Sequence, residues 1–263
     1  MSKGHYELKD RIAWVNGGAG AVGLAVSAEL ARAGAYVVVS SRNASKLEAA
    51  MKKIADCGNI ESMVVDVSDS NSVFNGAAQI EKHHGRIEIL VNSAGVNPSR
   101  RHFRDLSLED WNNTVQVNLS GMFYACQAVL TSMRKRRDGV IINIGSWAGR
   151  FAAYFAGPAY ASTKRAVLAL TETINMEECV NGIRATSISP AGIDTPLLDK
   201  RPKPPSAEIR AGLLKPQDIA QIVRFIAGLP PHVCINEILM GPVLNSAYLG
   251  ELETQKRRTE GTR

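Results

Sequence analysis

Short unbroken apolar runs alternate with helical stretches along almost the whole chain. The pattern predicts strands at 12–16, 36–39, 63–65, 87–91, 140–144, 183–189 and 235–240. It predicts helices at 22–33, 44–55, 73–83, 108–136, 160–180 and 216–227. Runs such as Tyr36-Val-Val-Val39 and Val140-Ile-Ile-Asn-Ile144 show no alternation of apolar and polar residues. A strand reads that way when both of its faces are buried. Parallel strands need crossover connections, and helices serve as both crossover and cover. The expectation is an α/β chain: a doubly wound, seven-stranded parallel sheet with helices on both faces, in one domain over residues 1–250. A rigid polar stretch, Lys200-Arg-Pro-Lys-Pro-Pro205, belongs to a surface loop at about 195–215. Residues 251–263 read as a polar tail. In such sheets ligands bind beyond the carboxyl ends of the strands. The loops after Asn16, Val91, Ile144 and Ser189 should therefore surround one site.

Composition agrees with a globular enzyme-sized domain. The chain has 263 residues, of which 45% are hydrophobic and 21% charged, which excludes a disordered chain or a coiled coil. The net charge is +6, but part of the excess sits in Lys256, Arg257, Arg258 and Arg263 near the end. The remaining charge is mixed along the chain, so no nucleic-acid partner is expected. Four cysteines form no CxxC, and His83 and His84 are adjacent, so no metal site is expected. No run reaches the ~18 apolar residues of a membrane span, and no apolar leader opens the chain. A small-molecule substrate and a cytoplasmic location follow as expectations.

The turn after the first strand is Asn16-Gly-Gly-Ala-Gly-Ala-Val-Gly23, with GxGxxG at Gly18, Gly20 and Gly23. Glycine here permits a tight turn, close approach of backbone N–H groups to a diphosphate, and contact of helix with strand. The helix N-terminus behind it offers unpaired N–H groups and a positive dipole end. The second strand ends in Ser40-Ser-Arg-Asn43, where an acid would bond the ribose of NAD. Arg42 instead carries a fork suited to a phosphate, with Ser41 and Asn43 beside it. NADP(H) is expected over NAD(H).

Tyr160 and Lys164 stand at i and i+4 on one helix face, and none of the other tyrosines has a lysine at that spacing. A cation near a phenol favours phenolate, so Lys164 is expected to lower the pKa of Tyr160. Such a tyrosine exchanges protons with a carbonyl or hydroxyl. Ser146, after the fifth strand, can hold the same oxygen.

Together these residues give the chain its resemblance to the short-chain dehydrogenase/reductases, which share a Rossmann-type fold. Asp66-Val-Ser-Asp69 resembles the family's adenine-side acidic motif, and Asn92-Ser-Ala-Gly95 its NNAG segment. Asn118 matches the active-site asparagine and Ile142-Asn-Ile-Gly-Ser146 the segment of the catalytic serine. Tyr160 and Lys164 match YxxxK, and Ser189-Pro-Ala-Gly-Ile-Asp-Thr195 resembles the nicotinamide-side segment. The resemblance implies that Tyr160 is the proton donor or acceptor, that Lys164 lowers its pKa and holds the nicotinamide ribose, and that Ser146 positions the carbonyl. It implies that Asn118 anchors a water leading from Lys164. The turn residues Gly17, Ala19, Gly20, Ala21, Val22 and Gly23 would hold the diphosphate. Asp66 and Val67 would border the adenine, Asn92, Ala94 and Gly95 the sugars, and Ile193 and Thr195 the carboxamide. A homo-oligomer, dimer or tetramer, is implied too.

The chain departs from that pattern in places. Asn16 replaces a threonine, Ala21 and Ala191 replace glycines, and the Ser146–Tyr160 interval is longer than usual. The C-terminal Ile235-Asn-Glu-Ile-Leu-Met-Gly-Pro242 resembles members acting on small hydroxy acids and polar alcohols. Candidate substrate residues are Val96, Trp147, Arg150, Tyr154 and Leu197. Arg100, Arg101, Arg104, Lys200, Arg201, Lys203 and Arg210 read as solvated surface charges of two loops, with contact of one of them to an anionic substrate as the alternative. The leading function is hydride transfer between NADP(H) and a small carbonyl or secondary alcohol. The alternatives are a catalytically silent dinucleotide sensor or scaffold, and a methyltransferase, against which Arg42 speaks.

Overall fold

The computed structural model describes residues 8–245, 248–250 and 252. Seven parallel strands form one sheet: β1 Ile12–Asn16, β2 Tyr36–Ser41, β3 Ile60–Val64, β4 Ile89–Asn92, β5 Gly139–Ile144, β6 Ile183–Pro190 and β7 Glu237–Met240. The helices between them are α1 Ala21–Arg32, α2 Ala44–Met51, α3 Ser70–His84, α4 Leu108–Val115, α5 Gly121–Arg136, α6 Trp147–Arg150, α7 Pro158–Glu178, α8 Ala207–Ala211 and α9 Pro216–Ala227. The strand order is β3-β2-β1-β4-β5-β6-β7. Order reverses between β1 and β4, and a crevice opens at the carboxyl edge there.

Successive side chains of a strand face opposite ways, and here both directions lead into a core. Ala13, Val15, Val37, Val39, Val140 and Ile142 pack on one face against Val26 and Leu30 of α1 and Ile219 and Val223 of α9. Trp14, Val38, Leu90 and Ile141 pack on the other against Val73 and Ile80 of α3, Val129 of α5 and Val167 of α7. The missing alternation in the sequence is the direct record of these two cores.

Several boundaries differ from the sequence pattern, among them β4, which runs Ile89–Asn92 rather than 87–91. The third strand is Ile60–Val64, not 63–65. It is a sheet edge, paired only with β2. An edge tolerates polar residues, and Glu61 accepts a hydrogen bond from the Tyr36 hydroxyl at 3.0 Å. The second helix stops at Met51, followed by a short 3-10 turn at Ala55–Cys57. The long helix expected over 108–136 is broken by a π-turn at Gln116–Ser120. The last strand begins at Glu237 rather than at residue 235. Among the described residues no helix is long and apolar enough to cross a membrane. The predicted tail at 251–263 lies outside the described residues except for Leu252.

Candidate active site

Four strand ends meet at the carboxyl edge, and a chain of buried amides ties them together. The Trp14 indole donates to Ser40 Oγ at 3.0 Å, and Ser40 Oγ donates to Asn16 Oδ1 at 2.7 Å. Asn16 Nδ2 donates to Asn92 Oδ1 at 3.1 Å, Asn92 Nδ2 to Asn143 Oδ1 at 3.0 Å, and Asn143 Nδ2 to Thr171 Oγ1 at 3.0 Å. The chain crosses β2, β1, β4 and β5 and ends on α7. It fixes the relative height of the strand ends, because an unpaired amide there would cost about 1–3 kcal/mol. Asn16, where the family motif has threonine, is one of its links.

The glycine turn leads from β1 into α1. Gly17 has φ +72°, and a Cβ there would lie 2.5 Å from the Ala94 amide nitrogen. No side chain therefore fits between the turn and the loop after β4. A Cβ on Gly23 would lie 2.5 Å from Gly17 O, so helix and turn also touch. Gly20 is the N-cap of α1, and no side chain caps that end. The first-turn N–H groups are left for a ligand. These are the features a diphosphate needs, and the turn fits a dinucleotide.

At the end of β2, Ser41 is half-buried and Arg42 exposed. Arg42 has no ion pair among the described residues. Asn43 Oδ1 is engaged as the cap of α2, accepting from Lys46 N at 2.8 Å. Asp66 Oδ1 accepts from Ser68 N at 2.9 Å, and Asp69 caps α3. Ile193 forms an isolated bridge to Leu214, and Thr195 begins the 3-10 turn at Pro196–Lys200.

Around Tyr160 the elements converge. The π-turn presents Asn118, whose Oδ1 accepts from Val96 N at 2.8 Å and whose Nδ2 donates to Val96 O at 2.9 Å. The amide thus fixes the backbone of Val96, beside Gly95. Ser146 caps the short helix α6, its Oγ accepting from Ala148 N at 3.2 Å. It also shares a hydrogen bond with Tyr160. Lys164 is 3% exposed, and its Nζ donates to Ile144 O at 2.7 Å. That nitrogen stands 5.7 Å from the Tyr160 ring centre. A Cβ built on exposed Gly95 would lie 3.6 Å from it, so the ammonium faces the floor of the crevice.

Electrostatics differ from the sequence expectation. Burial raises the Tyr160 phenol above its ordinary value. The hydrogen bond with Ser146 and the fields of Arg201 and Arg101 pull it back, and Lys164 is not among the groups that lower it. Burial instead pushes the Lys164 ammonium down to about 8. Desolvation acts on both groups and disfavours the charged form of each.

Residues 11–205 match the sequence profile of the family described as short chain dehydrogenase. The chain belongs to the short-chain dehydrogenase family. It is an oxidoreductase by that membership, on a fold that binds a nicotinamide dinucleotide. An uncharacterised oxidoreductase of Staphylococcus saprophyticus is 34% identical over 242 residues, covering 90% of this chain and 99% of that protein. A metagenomic short-chain oxidoreductase solved with NADP is 28% identical, with a TM-score of 0.78, over 91% of this chain and all (100%) of the other. A serine dehydrogenase from Escherichia coli is 27% identical, with a TM-score of 0.76, over 89% of this chain and 99% of the other.

In this dehydrogenase the predicted catalytic set, Asn118, Ser146, Tyr160 and Lys164, is brought to one place. The predicted substrate residues make separate contacts. Val96 lies on Asn118. Trp147 packs between Phe151, at 4.9 Å between ring centres, and Tyr248, at 5.9 Å. Arg150 reaches Glu237 at 3.9 Å. Tyr154 is exposed and stacks on His102, with ring centres 4.4 Å apart, and Leu197 is exposed. The basic loop residues need correction. Arg101 is not a surface charge but a buried one, and Arg201 is half-buried. Sequence carried no sign of this, because burial of a cation follows from distant partners and not from periodicity. Arg210 is paired with Asp194 and Asp199.

Proposed function

We propose that the enzyme interconverts a small carbonyl compound and its secondary alcohol with NADP(H), and that Tyr160 is the group that gives and takes the proton. The observation that carries this reading is the convergence of Ser146, Tyr160 and buried Lys164 at the crevice beside Gly95. The turn Gly17–Gly23 and the uncapped start of α1 would hold the diphosphate, and Arg42 with Ser41 would meet the 2′-phosphate. When bound, the nicotinamide supplies or accepts the hydride.

The chain's own residues handle everything else. Ser146 holds the reacting oxygen in line with the Tyr160 hydroxyl. Burial keeps that phenol protonated at neutral pH, which is the form that donates to a carbonyl in reduction. Alcohol oxidation needs the phenolate, so the oxidative rate should climb with pH. Lys164 refills or drains the tyrosine, and its value of about 8 lets it change charge in that range. Asn118 keeps Val96 and Gly95 against it. A homo-oligomer fits exposed Phe123 on α5 and Met176 on α7, which lie on the helices that follow Asn118 and carry Tyr160.

The test is NADPH oxidation and NADP⁺ reduction by the purified chain over a panel of carbonyls and alcohols, with NADH and NAD⁺ alongside. The reading expects turnover, faster with the phosphorylated dinucleotide. Tight dinucleotide binding without turnover of any panel member would replace it with the silent sensor.

A further inference from the structure

Arg101 is 3% exposed and has no ion pair among the described residues. Its Nη1 donates to Phe155 O at 3.4 Å and its Nη2 to Lys200 O at 2.5 Å. Its Nε–H is buried without an acceptor. The position is built in deliberately. Gly157 has φ +74°, and a Cβ there would lie 2.1 Å from Arg101 O. The Arg101 backbone therefore lies directly on the residue that leads into α7, the helix of Tyr160.

Arg201 completes the arrangement from the loop after β6. Its guanidinium carbon stands 4.4 Å from the ring centre of Phe155, the residue whose carbonyl holds Arg101. Arg201 likewise has no ion pair among the described residues. The charge of Arg201 lowers the Arg101 pKa, after burial, and both guanidinium groups act on Tyr160. Two partly desolvated like charges, side by side, destabilise a protein unless an anion joins them. Other cations are either answered within the fold, Arg210 by Asp194 and Asp199, Lys215 by Asp194 at 3.0 Å and Arg150 by Glu237, or, like Arg100, Arg104, Lys200 and Lys203, exposed to solvent. The pair beside the phenol is neither.

We propose that Arg101 and Arg201 seat a carboxylate of the substrate, so that the enzyme acts on a hydroxy acid and its oxo-acid partner. The inference rests on the reading of Tyr160 as the proton-exchanging group, and names the substrate class for that same site. The donors without an acceptor are the buried Arg101 Nε–H and the half-buried Arg201 fork, groups of the kind that bond a carboxylate. The carboxylate also supplies the missing negative charge between the two cations. Phe155 keeps the seat aromatic on one side, so a neutral polar group would gain little there.

The experiment pairs each acid with the same skeleton without its charge. The probes are lactate, 3-hydroxybutyrate and 4-hydroxypentanoate, each beside its methyl ester, with glycerol 3-phosphate as the phosphate arm. The expected result is at least one acid preferred over its ester by ~10- to 100-fold in kcat/KM, the range of a charge-assisted pair. In Arg201→Met that ratio should collapse toward one, mainly through KM, and Arg201→Lys should restore part of it, because it keeps the charge and loses the fork. Arg101→Met opens a hole in a buried site and is left as a secondary variant. An ester preferred in the wild type, or an acid preference unchanged in Arg201→Met, overturns the proposal. Glycerol 3-phosphate preferred over every acid overturns the carboxylate in favour of a phosphate ester. If no probe is turned over, the seat is judged apart from the Tyr160 reading. Calorimetric binding of the three acids to wild type and Arg201→Met then judges the seat: Arg201-dependent binding sustains it, and no binding removes it.

Discussion

Lys164→Met should make the protein more stable at neutral pH while removing its activity. Lys164 is 3% exposed, and burial lowers its ammonium from 10.5 to about 8. Each pH unit of that difference weighs ~1.4 kcal/mol, so the charged lysine penalises the folded state by about 3 kcal/mol at pH 7. The sign follows from proton counts. Between about pH 8 and 10.5 the unfolded chain holds this proton and the folded chain does not. Stability therefore rises with pH across that window, and the penalty is full below it. Methionine fills a similar volume and forfeits only the bond from Nζ to Ile144 O, worth about 1 kcal/mol. The net gain at pH 7 is about 2 kcal/mol, or roughly 4–8 °C in Tm for a chain of this size. At pH 9.5 about 1 kcal/mol of the wild-type penalty remains, and the gain should nearly vanish. Thermal melts by circular dichroism, without dinucleotide, at both pH values measure it. A variant less stable than wild type at pH 7, or a gain that does not shrink with pH, would refute the reasoning.

Two further predictions concern the dinucleotide. Gly17→Ala puts a methyl 2.5 Å from the Ala94 amide at a positive φ, so it should weaken NADPH binding at least ~10-fold and lower Tm, read by fluorescence titration and melting. Arg42→Ala removes an exposed cation with no structural partner among the described residues. It should leave Tm within a degree or so, raise the Kd for NADPH by ~10- to 100-fold, and leave that for NADH near its wild-type value. Equal loss for both dinucleotides would remove the 2′-phosphate assignment.

The sheet was legible because both of its faces are covered, which turns every central strand into an unbroken apolar run. β3 was misplaced because an edge strand carries Glu61 and Ser62 and breaks the run. The π-turn at Asn118 was invisible because it preserves helical periodicity on both sides. Tyr160 and Lys164 were singled out by their spacing and Ser146 by its place after the fifth strand, whereas Asn118 was named only through a family resemblance. The asparagine chain across the strand ends was not legible at all. Its members are spread from Asn16 to Thr171 and meet only through strand order. The same holds for the arginine pair: Arg101 is anchored by Lys200 O, 99 residues away in sequence. Local pattern assigned it to solvent, and the tertiary structure buries it. Sequence likewise assigned Lys164 the task of lowering the Tyr160 pKa, whereas burial of both groups dominates.

The central claim is that Tyr160 moves the proton at a nicotinamide-dependent centre. Its most direct test is Tyr160→Phe, which keeps the ring and removes the hydroxyl. With NADPH binding verified by fluorescence to be within about threefold of wild type, turnover of the best substrate should fall by roughly 10²–10⁴, the usual worth of a positioned acid or base. A variant that binds NADPH and turns over at the wild-type rate would contradict the claim.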